Sequence, residues 1–255
     1  MLAPRPTVDT ILYDQLVPFY HLLDPLEDHE EEVAAFVQVL RGAAPQARDL
    51  LELGSGAGHG AHYMAPAFEQ VTLVDLSAPM LERSRRLNPG CEHAEGDMRT
   101  VRMGRQFDCV MLHDAVCYMT TPADLAATAR TAWEHLRPGG AALVVPDCVK
   151  ETFVESHEDH AADDDQRSLR CLSWSHDPDP TDDTQDVDFA FLLREHGKVR
   201  AAHACHHFGL FTTDTWLSVW SEPGFDVKVV PRPLPDEYRD SAYTDKMFLC
   251  TRPET

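Results

Sequence analysis

A glycine-rich run carries the clearest chemical signal in the sequence. It reads Leu51-Glu52-Leu53-Gly54-Ser55-Gly56-Ala57-Gly58-His59-Gly60 and includes the end of an apolar segment that predicts a strand. Glycines at 54, 56 and 58 accept positive φ and carry no Cβ, so a ligand can lie directly against main chain at the start of the following helix. The run therefore predicts a nucleotide-type site between a strand and a helix.

An acid stands at the end of the next predicted strand, in Val74-Asp75-Leu76-Ser77, seventeen residues after Gly58. A carboxylate in that place can accept hydrogen bonds from both hydroxyls of a ribose, in dinucleotides and in adenosyl ligands alike. A pyrophosphate fingerprint needs a glycine three positions after Gly56, but His59 stands there. The pattern indicates a ribose and disfavours a pyrophosphate, which counts against an NAD-dependent oxidoreductase.

Two further motifs follow along the chain. Gly96-Asp97-Met98-Arg99 offers a carboxylate for an exocyclic amine and a main-chain N–H for a ring nitrogen, as an adenine edge requires. Leu136-Arg137-Pro138-Gly139-Gly140 ends a predicted helix and turns into a strand, which its Pro and Gly residues explain without a ligand.

The elements that must position these residues alternate between strand and helix. Predicted strands are Asp49–Leu53, Gln70–Val74, Phe107–Leu112 and Ala141–Val145, and predicted helices are Gly58–Pro66, Pro79–Leu87 and Pro122–Leu136. The strand segments are mainly apolar, which is typical of a parallel sheet covered on both faces. Upstream, Glu31–Leu40 predicts an amphipathic helix.

The pattern changes after Pro146. Val187–Arg194 and Val199–Phe211 predict an antiparallel hairpin with His196-Gly197 in its turn. Further on, the sequence predicts a helix over Thr212–Trp220, capped by Thr213 or Asp214, and strands over Phe225–Val230 and Lys246–Thr251. We expect one domain with an insertion.

Composition limits the partners. The 255 residues include 22 basic and 43 acidic side chains, a net charge of −21, which a nucleic-acid backbone would repel. Residues 151–188 hold 13 acids and two bases, and we expect that segment to be a solvated, mobile excursion. No run is apolar enough for a membrane span and the first residues lack a signal-peptide pattern, so the expectations are a small-molecule partner, no membrane and a cytoplasmic location.

Neither cysteine nor histidine spacing predicts a metal. The seven cysteines form no C-x-x-C pair, and we interpret them as reduced thiols. His203, Cys205 and His207 share a face of a predicted strand, but a half-buried strand explains them equally well.

Taken in order, these motifs resemble the class I S-adenosylmethionine-dependent methyltransferases. The resemblance covers about residues 45–150, through Glu52–Gly58, Asp75, Gly96-Asp97-Met98 and the turn at 136–140. A weaker likeness to natural-product aminosugar N-methyltransferases comes from His206-His207-Phe208, Phe211-Thr212 and the elements after them.

The resemblance implies an α/β fold. It is a Rossmann-like, mostly parallel sheet of seven strands in the order 3-2-1-4-5-7-6, with strand 7 antiparallel and a small antiparallel insertion after strand 5. Lys246–Thr251 would be strand 7. The 255 residues would divide into a helical lid (1–42), a cofactor-binding core (43–150), the insertion and cover (151–211) and the last helix and strand pair (212–255).

S-adenosylmethionine is the implied cofactor. The resemblance places its methionine end on Glu52 and the Gly54, Ser55, Gly56 and Gly58 main chain, its ribose on Asp75, and its adenine against Asp97, Met98 and Met80. Leu76 is a further cofactor-binding candidate. The run from Tyr13 to His21 resembles the lid of the aminosugar enzymes, whose tyrosines, here Tyr13 and Tyr20, would exclude water and contact the cofactor.

The acceptor end is expected where the fourth strand stops, at His113-Asp114. His113 would remove a proton from the acceptor or contact the cofactor, and Asp114 would hold an ammonium, although either side chain could instead bond to the following turn. Tyr13 is a further catalytic candidate, and the candidate substrate contacts are Tyr13, Asp147, His206 and His207. The segment from Pro146 to Phe153 has one Phe where the aminosugar enzymes are rich in aromatic residues.

The function expected from the resemblance is methyl transfer from S-adenosylmethionine to a small molecule, with an amine of bacterial secondary metabolism preferred, by a monomer or homodimer. An O-methyltransferase, an NAD-dependent oxidoreductase and a non-catalytic adenosyl-binding module remain as alternatives. Methyl transfer from a sulfonium requires no metal, and none is expected.

Overall fold

The computed structural model describes residues 11–233 and 244–254. Over this part of the chain the strands are β1 Asp49–Leu53, β2 Gln70–Asp75, β3 Glu92–Glu95, β4 Phe107–His113, β5 Leu136–Val145, β6 Ser156–Asp163, β7 Arg167–His176, β8 Thr184–Glu195, β9 Lys198–Gly209, β10 Asp226–Pro231 and β11 Lys246–Thr251. The α-helices are α1 Tyr20–Leu23, α2 Glu30–Ala43, α3 His59–Met64, α4 Ala78–Leu87, α5 Pro122–His135 and α6 Thr213–Ser221. Single 3₁₀ turns lie at Ile11–Tyr13, Val17–Phe19, Leu26–His29, Ala65–Ala67 and Ala115–Tyr118.

Seven strands form the main sheet, in the order β3-β2-β1-β4-β5-β11-β10. The first five strands of the chain pair in parallel, whereas β11 pairs antiparallel with both β5 and β10. With β11 as strand 7 and β10 as strand 6, this order confirms the predicted topology. The carboxyl ends of β1, β2, β4 and β5 therefore lie at one edge of the sheet, where open α/β sheets bind ligands.

Both faces of the sheet are buried, because successive strand residues point to opposite sides. Leu51 and Leu53 belong to a core completed by Trp216 of α6, while Leu50 belongs to a second core completed by Phe36 of α2. This burial on both faces explains why the predicted strands are mainly apolar.

Two differences from the predicted strands have simple reasons. No apolar run predicted β3, since Glu92–Glu95 is a polar edge strand of four residues. β5 begins at Leu136 rather than Ala141, because the Leu136–Gly140 turn already pairs with Phe107 before the register shifts.

The start of α6 corrects a predicted cap. The cap is the side chain of Thr212, whose hydroxyl accepts a hydrogen bond from the Thr215 N–H at 3.1 Å, and not Thr213 or Asp214. An N-cap oxygen reaches an N–H two or three residues ahead, so the threonine just before the first helical residue holds the position.

Strands β6 to β9 form a separate antiparallel sheet in chain order, connected after β5. The predicted hairpin is β8 and β9, with His196 (φ 51°) and Gly197 (φ 74°) in its two-residue turn. The expectation of a mobile acidic excursion at 151–188 was wrong, because much of it forms β6 and β7 and pairs in register with β8. Strand alternation explains the difference: Leu169 and Cys171 are buried, while most of the acids lie in turns or on less buried positions of the sheet.

The N-terminal segment, residues 11–29, packs against this second sheet. Leu16 and Phe19 are buried in a small core with Leu169, Phe191 and Leu193. The segment that the sequence predicted as a lid therefore packs on the second sheet.

The seven cysteines all lie within the described residues and none forms a disulfide; Cys91 and Cys205 are partly exposed and the other five are buried. None of the helices in the described ranges has the length and apolarity of a membrane span.

Candidate cofactor and acceptor site

The glycine-rich turn joins β1 to α3 with three left-handed residues. φ is +82° at Gly54, +53° at Gly56 and +78° at Gly58. A Cβ at Gly54 would lie 2.4 Å from the Ala115 Cβ, and one at Gly58 would lie 2.2 Å from the Ser84 Oγ. Gly54 and Gly58 are thus required for close packing as well as for φ.

Gly56 differs from the other two glycines. A Cβ there would meet only the Met80 Cε, at an ordinary 3.6 Å, so this is the glycine with space beside it. Its N–H donates a hydrogen bond to Asp75 Oδ2 at 2.8 Å, and the Ser77 N–H donates to Oδ1 at 2.8 Å. Burial raises the pKa of Asp75 while these N–H groups oppose the rise. Leu76, directly after this acid, is 66% exposed.

Two polar side chains under the turn have buried atoms with no hydrogen-bond partner in the described part of the chain. They are Glu52, through Oε2, and Ser55, through Oγ. Burial raises the pKa of Glu52 to about 7. Buried polar atoms are ordinarily satisfied, so two of them at one turn fit a ligand with an ammonium and a carboxylate.

Asp97, the predicted partner of the adenine amine, already has a partner within the protein. The Asp97 carboxylate accepts hydrogen bonds from Arg99, whose Nη2 lies 2.6 Å from Oδ2, and Arg99 also contacts Asp124 at 2.9 Å. Arg99 lowers the pKa of Asp97. An exocyclic amine would therefore bind to a carboxylate that already holds a guanidinium. Met98 is buried beside Gly54, within reach of the same turn.

A buried charged network surrounds His113 at the end of β4. Its Nε2 lies 2.9 Å from Asp114 Oδ1, 3.3 Å from Glu32 Oε1 and 3.2 Å from the Arg232 Nη2. Arg232 also donates to Glu32 Oε2 at 2.8 Å. Burial opposes protonation of the imidazole, but Asp114 and Glu32 outweigh it and raise the pKa of His113.

Asp114 forms a carboxyl pair with Asp147, which follows the end of β5. Burial and the neighbouring Asp114 raise the pKa of Asp147 well above its usual value. Burial opposes ionisation of Asp114 too, but His113 and Arg232 outweigh it and lower its pKa. Two carboxyl groups in contact favour sharing one proton, and the surroundings favour the proton on Asp147 and the charge on Asp114. Asp114 has φ of 49° and a side chain that is 48% exposed.

Tyr13 lies between the predicted cofactor and acceptor ends. Its carbonyl accepts a hydrogen bond from the Ser77 Oγ, and its hydroxyl accepts one from Tyr118 at 2.8 Å. His206 Nδ1 lies 2.8 Å from the same Tyr118 hydroxyl. Burial raises the pKa of Tyr13, the Tyr118 bond opposes the rise, and the nearby charges of Asp147, Asp75 and Asp114 add to it.

Tyr20 contacts a second cluster at the start of α3. Its hydroxyl is bonded to Asp24, and burial followed by that carboxylate raises its pKa well above the usual value. Asp24 Oδ1 lies 2.8 Å from His29 Nε2, and its Oδ2 lies 3.2 Å from His59 Nδ1. His59 is only 4% exposed, and its ring centroid lies 5.6 Å from that of Tyr20.

The structure thus brings most of the predicted site residues to one edge of the sheet, but not all. His207 pairs with Asp186 at 2.6 Å, away from the Tyr118 contact that His206 makes. Residues that sequence reasoning missed include Glu32, Tyr118 and Arg232. The isolated base in Pro231-Arg232-Pro233 was a weak signal for a buried arginine, whereas Glu32 was hidden among the acids that begin α2.

Comparisons with known proteins agree with this geometry. A family model described as a methyltransferase domain matches residues 50–140. A dTDP-3-amino-3,4,6-trideoxy-alpha-D-glucopyranose N,N-dimethyltransferase of Streptomyces venezuelae is 32% identical over 130 residues, so the match spans 51% of this chain and 55% of that relative. A dTDP-3-amino-3,6-dideoxy-alpha-D-glucopyranose N,N-dimethyltransferase of Streptomyces fradiae is 26% identical, over 80% of each chain.

Solved structures share the whole architecture. DesVI of Streptomyces venezuelae aligns with a TM-score of 0.80 at 24% identity, covering 97% of this chain and all of that one. The sugar N-methyltransferase KedS8 from Streptoalloteichus aligns with a TM-score of 0.83 at 20% identity, covering all of this chain and 97% of that one. At such identities the likeness establishes the fold alone. Residues 50–140 match a methyltransferase domain, and the chain is similar in sequence to sugar N,N-dimethyltransferases.

Proposed function

We propose that this chain transfers a methyl group from S-adenosylmethionine to the amino group of a small polar molecule. Two relatives are named for dTDP-linked amino sugars, and we propose an acceptor of that chemical class, an amine on a nucleotide-linked sugar. A cytoplasmic location and a monomeric or homodimeric state remain predictions from the sequence.

The cofactor would lie along the edge formed by β1, β2 and β4. When bound, S-adenosylmethionine supplies an electrophilic methyl group on a sulfonium. Glu52 and Ser55 supply unmet polar atoms for its methionine end, and Asp75 keeps lone pairs for ribose hydroxyls. Met80 and Met98, beside Gly56 and Gly54, supply apolar contacts for the adenine.

One observation carries the choice of an amine acceptor: the carboxyl pair of Asp114 and Asp147 at the ends of β4 and β5. The single negative charge of the pair suits a group that is cationic before or after transfer, as an amine is and an alcohol is not. Tyr13, whose hydroxyl is within electrostatic reach of both acids and of Asp75, would separate this site from water.

An O-methyltransferase usually needs a base for the hydroxyl proton. His113 was the candidate base, but Asp114, Glu32 and Arg232 surround its Nε2, and its pKa is raised. Both acids favour the protonated form of His113, in which the ring has no free lone pair for the acceptor's proton. We therefore assign His113 the role of positioning Asp114, which removes the main support for a hydroxyl acceptor.

The experiment has a binding arm and a transfer arm. Calorimetry with S-adenosylmethionine and S-adenosylhomocysteine should give dissociation constants well below about 1 mM, and Asp75→Asn should weaken both by about 1–3 kcal/mol because the ribose loses a charged partner. Asp226→Asn, a change at an exposed acid of β10, is the matched control.

The transfer arm presents dTDP-linked amino sugars and their hydroxyl counterparts with the cofactor, and mass spectrometry follows methylation. We expect methylated product only from the amines. Transfer to the hydroxyl compounds alone would contradict the amine assignment, and binding weaker than about 1 mM for both cofactor forms would contradict the cofactor site.

A further inference from the structure

A second cluster of ligand-type side chains lies beside the glycine-rich turn, outside the atoms that methyl transfer uses. One donor atom each of Asp24, His29 and His59 lies within 4.8 Å of the other two. Among residues 11–233 and 244–254 no other group of three or more His, Cys, Asp or Glu residues converges in this way. We propose that these three residues form a binding site for one divalent transition-metal ion of the zinc type.

The donor set selects the class of cation. Two imidazole nitrogens and one carboxylate oxygen suit Zn²⁺, Co²⁺ or Ni²⁺, whereas Mg²⁺ and Ca²⁺ prefer oxygen ligands throughout. Three protein ligands leave a fourth position open for water. The nearby carboxylate of Glu32 adds negative charge around His29.

The distances are close to those that a bound ion requires. Two ligands of a tetrahedral zinc ion at ordinary bond lengths stand about 3.3 Å apart. His59 Nδ1 and Asp24 Oδ2 are 3.2 Å apart, and His29 Nε2 and Asp24 Oδ1 are 2.8 Å apart. The two imidazoles contact different oxygens of Asp24, and one ligand atom from each residue lies within 4.8 Å of the other two, so a rotation of the carboxylate would direct its oxygen to an ion between the rings.

The main chain fixes the three ligands from different elements. Asp24 is the residue after α1, and Pro25 begins the 3₁₀ turn that ends at His29. His59 is the first residue of α3, held by the left-handed Gly58 and 4% exposed. Tyr20 bonds to the same Asp24 carboxylate and supports its orientation, as the outer partners of metal ligands commonly do.

The ion would join the N-terminal segment to the start of α3. Because that segment carries Tyr13 and Tyr20, a cation here would hold the presumed lid against the glycine-rich turn. It would act on the structure around the cofactor and take no part in methyl transfer.

The second sheet provides a matched comparison with the same residue types. Asp188 lies 3.1 Å from His176 Nε2 and 2.8 Å from His203 Nε2, but this trio does not converge and His203 is 65% exposed. Removing His176 should leave metal binding unchanged, whereas removing His29 should weaken it.

The test is a calorimetric titration of the full chain with zinc chloride and, separately, with magnesium chloride. Cys91 and Cys205, the partly exposed thiols, are replaced by serine in all variants so that they cannot compete. We expect one equivalent of Zn²⁺ per chain, no Mg²⁺ binding, and a rise in melting temperature with Zn²⁺. His29→Gln and Asp24→Asn should weaken Zn²⁺ by about tenfold or more, and His176→Gln should not.

Circular dichroism identifies any variant that fails to fold, and limited proteolysis of the N-terminal segment should slow with Zn²⁺ only when His29 is intact. The absence of stoichiometric binding would overturn the proposal. So would equal affinity in the parent and His29→Gln, or loss of the ion in His176→Gln. Because these measurements need neither cofactor nor acceptor, their failure is distinguishable from failure of the proposed function.

Discussion

At the scale of single residues, the site is built from acids whose environments push their pKa values in opposite directions. Glu52 and Asp147 are shifted towards the neutral form by burial, whereas Asp114 is kept ionised by His113 and Arg232. Such divergence among neighbouring carboxyl groups is common where ligands bind, since each group is prepared for a different partner.

Glu52 should make cofactor binding depend on pH. Its pKa is about 7 because it is buried without a full set of partners, so below that pH it is mainly neutral. A ligand ammonium favours the ionised carboxylate, so binding should tighten as pH rises from about 6 to about 8, by at most about tenfold per pH unit for one proton. Calorimetry across this range checks it, and Glu52→Gln should remove the dependence. A pH profile that is the same in both proteins would contradict the assignment.

The raised pKa of Glu52 also makes the stability of the cofactor-free protein depend on pH. The folded pKa of Glu52 lies above its usual value of 4.5, so the folded protein binds the proton more tightly than the unfolded chain. Its contribution to stability is therefore present at low pH and is lost as pH rises through about 7.

Asp114 and Asp147 should respond unequally to the same isosteric change. Asp114→Asn removes the charge that faces His113 and the buried Arg232, and we expect a loss of about 1–2 kcal/mol in the free energy of unfolding, less than for a fully buried pair because the Asp114 side chain is about half exposed. Asp147→Asn replaces the acid whose raised pKa favours the neutral form, and we expect a loss of less than about 1 kcal/mol. Urea denaturation of both variants measures the difference, and equal losses would show that the pair does not divide its charge in this way.

At the scale of elements, the glycine-rich turn places the main chain of β1 and α3 against two neighbours at once. Gly54 lies against Ala115 after β4, and Gly58 lies against Ser84 of α4. The turn therefore contributes to helix packing and also lines the candidate cofactor site, so a larger residue would disturb both.

Gly58 and Gly197 form a matched pair for testing this packing. Both have left-handed φ, +78° and +74°, but a Cβ at Gly58 would lie 2.2 Å from the Ser84 Oγ, whereas nothing lies within 4 Å at Gly197. Gly197→Ala should cost about 1 kcal/mol from backbone strain alone, and Gly58→Ala should cost about 2–4 kcal/mol because the Ser84 and Asn88 side chains must also move. Thermal unfolding of both variants compares them. Equal costs would mean that the contact with α4 relaxes without loss.

At the scale of the whole molecule, the acidic excess is distributed over a folded surface. The net charge of −21 includes the acids of β6 and β7, which are ordered in a sheet and not spread along an extended segment. Like charges held at fixed distances repel one another more in the compact state than in the unfolded chain.

Stability should consequently rise with salt. We expect the melting temperature to increase by a few degrees, roughly 2–5 °C, between about 10 mM and about 200 mM sodium chloride, since screening weakens the net repulsion more than it weakens the scattered surface ion pairs. Differential scanning calorimetry at several salt concentrations measures the change. A melting temperature that falls with salt would show that the surface ion pairs outweigh the repulsion.

The sequence determined what depends on neighbours along the chain. Apolar runs specified the inner strands, and glycines at 54, 56 and 58 specified the turn after β1, because strand burial and positive φ are local requirements. The position of Asp75 beside that turn followed from the parallel order of β1 and β2. The prediction of a mobile segment at residues 151–188, which was based on average charge, was wrong because composition does not record which face of a strand each acid occupies.

Only the tertiary structure decided which side chains meet. Arg232 contacts Glu32 across 200 positions of sequence, and Tyr118 contacts Tyr13 across 105. The contact of His59 with Asp24 likewise joins the start of α3 to the N-terminal segment. Local patterns cannot encode such contacts, because the packing of whole elements brings the residues together. That packing sets the charges around the proposed acceptor site and the geometry of the proposed metal site.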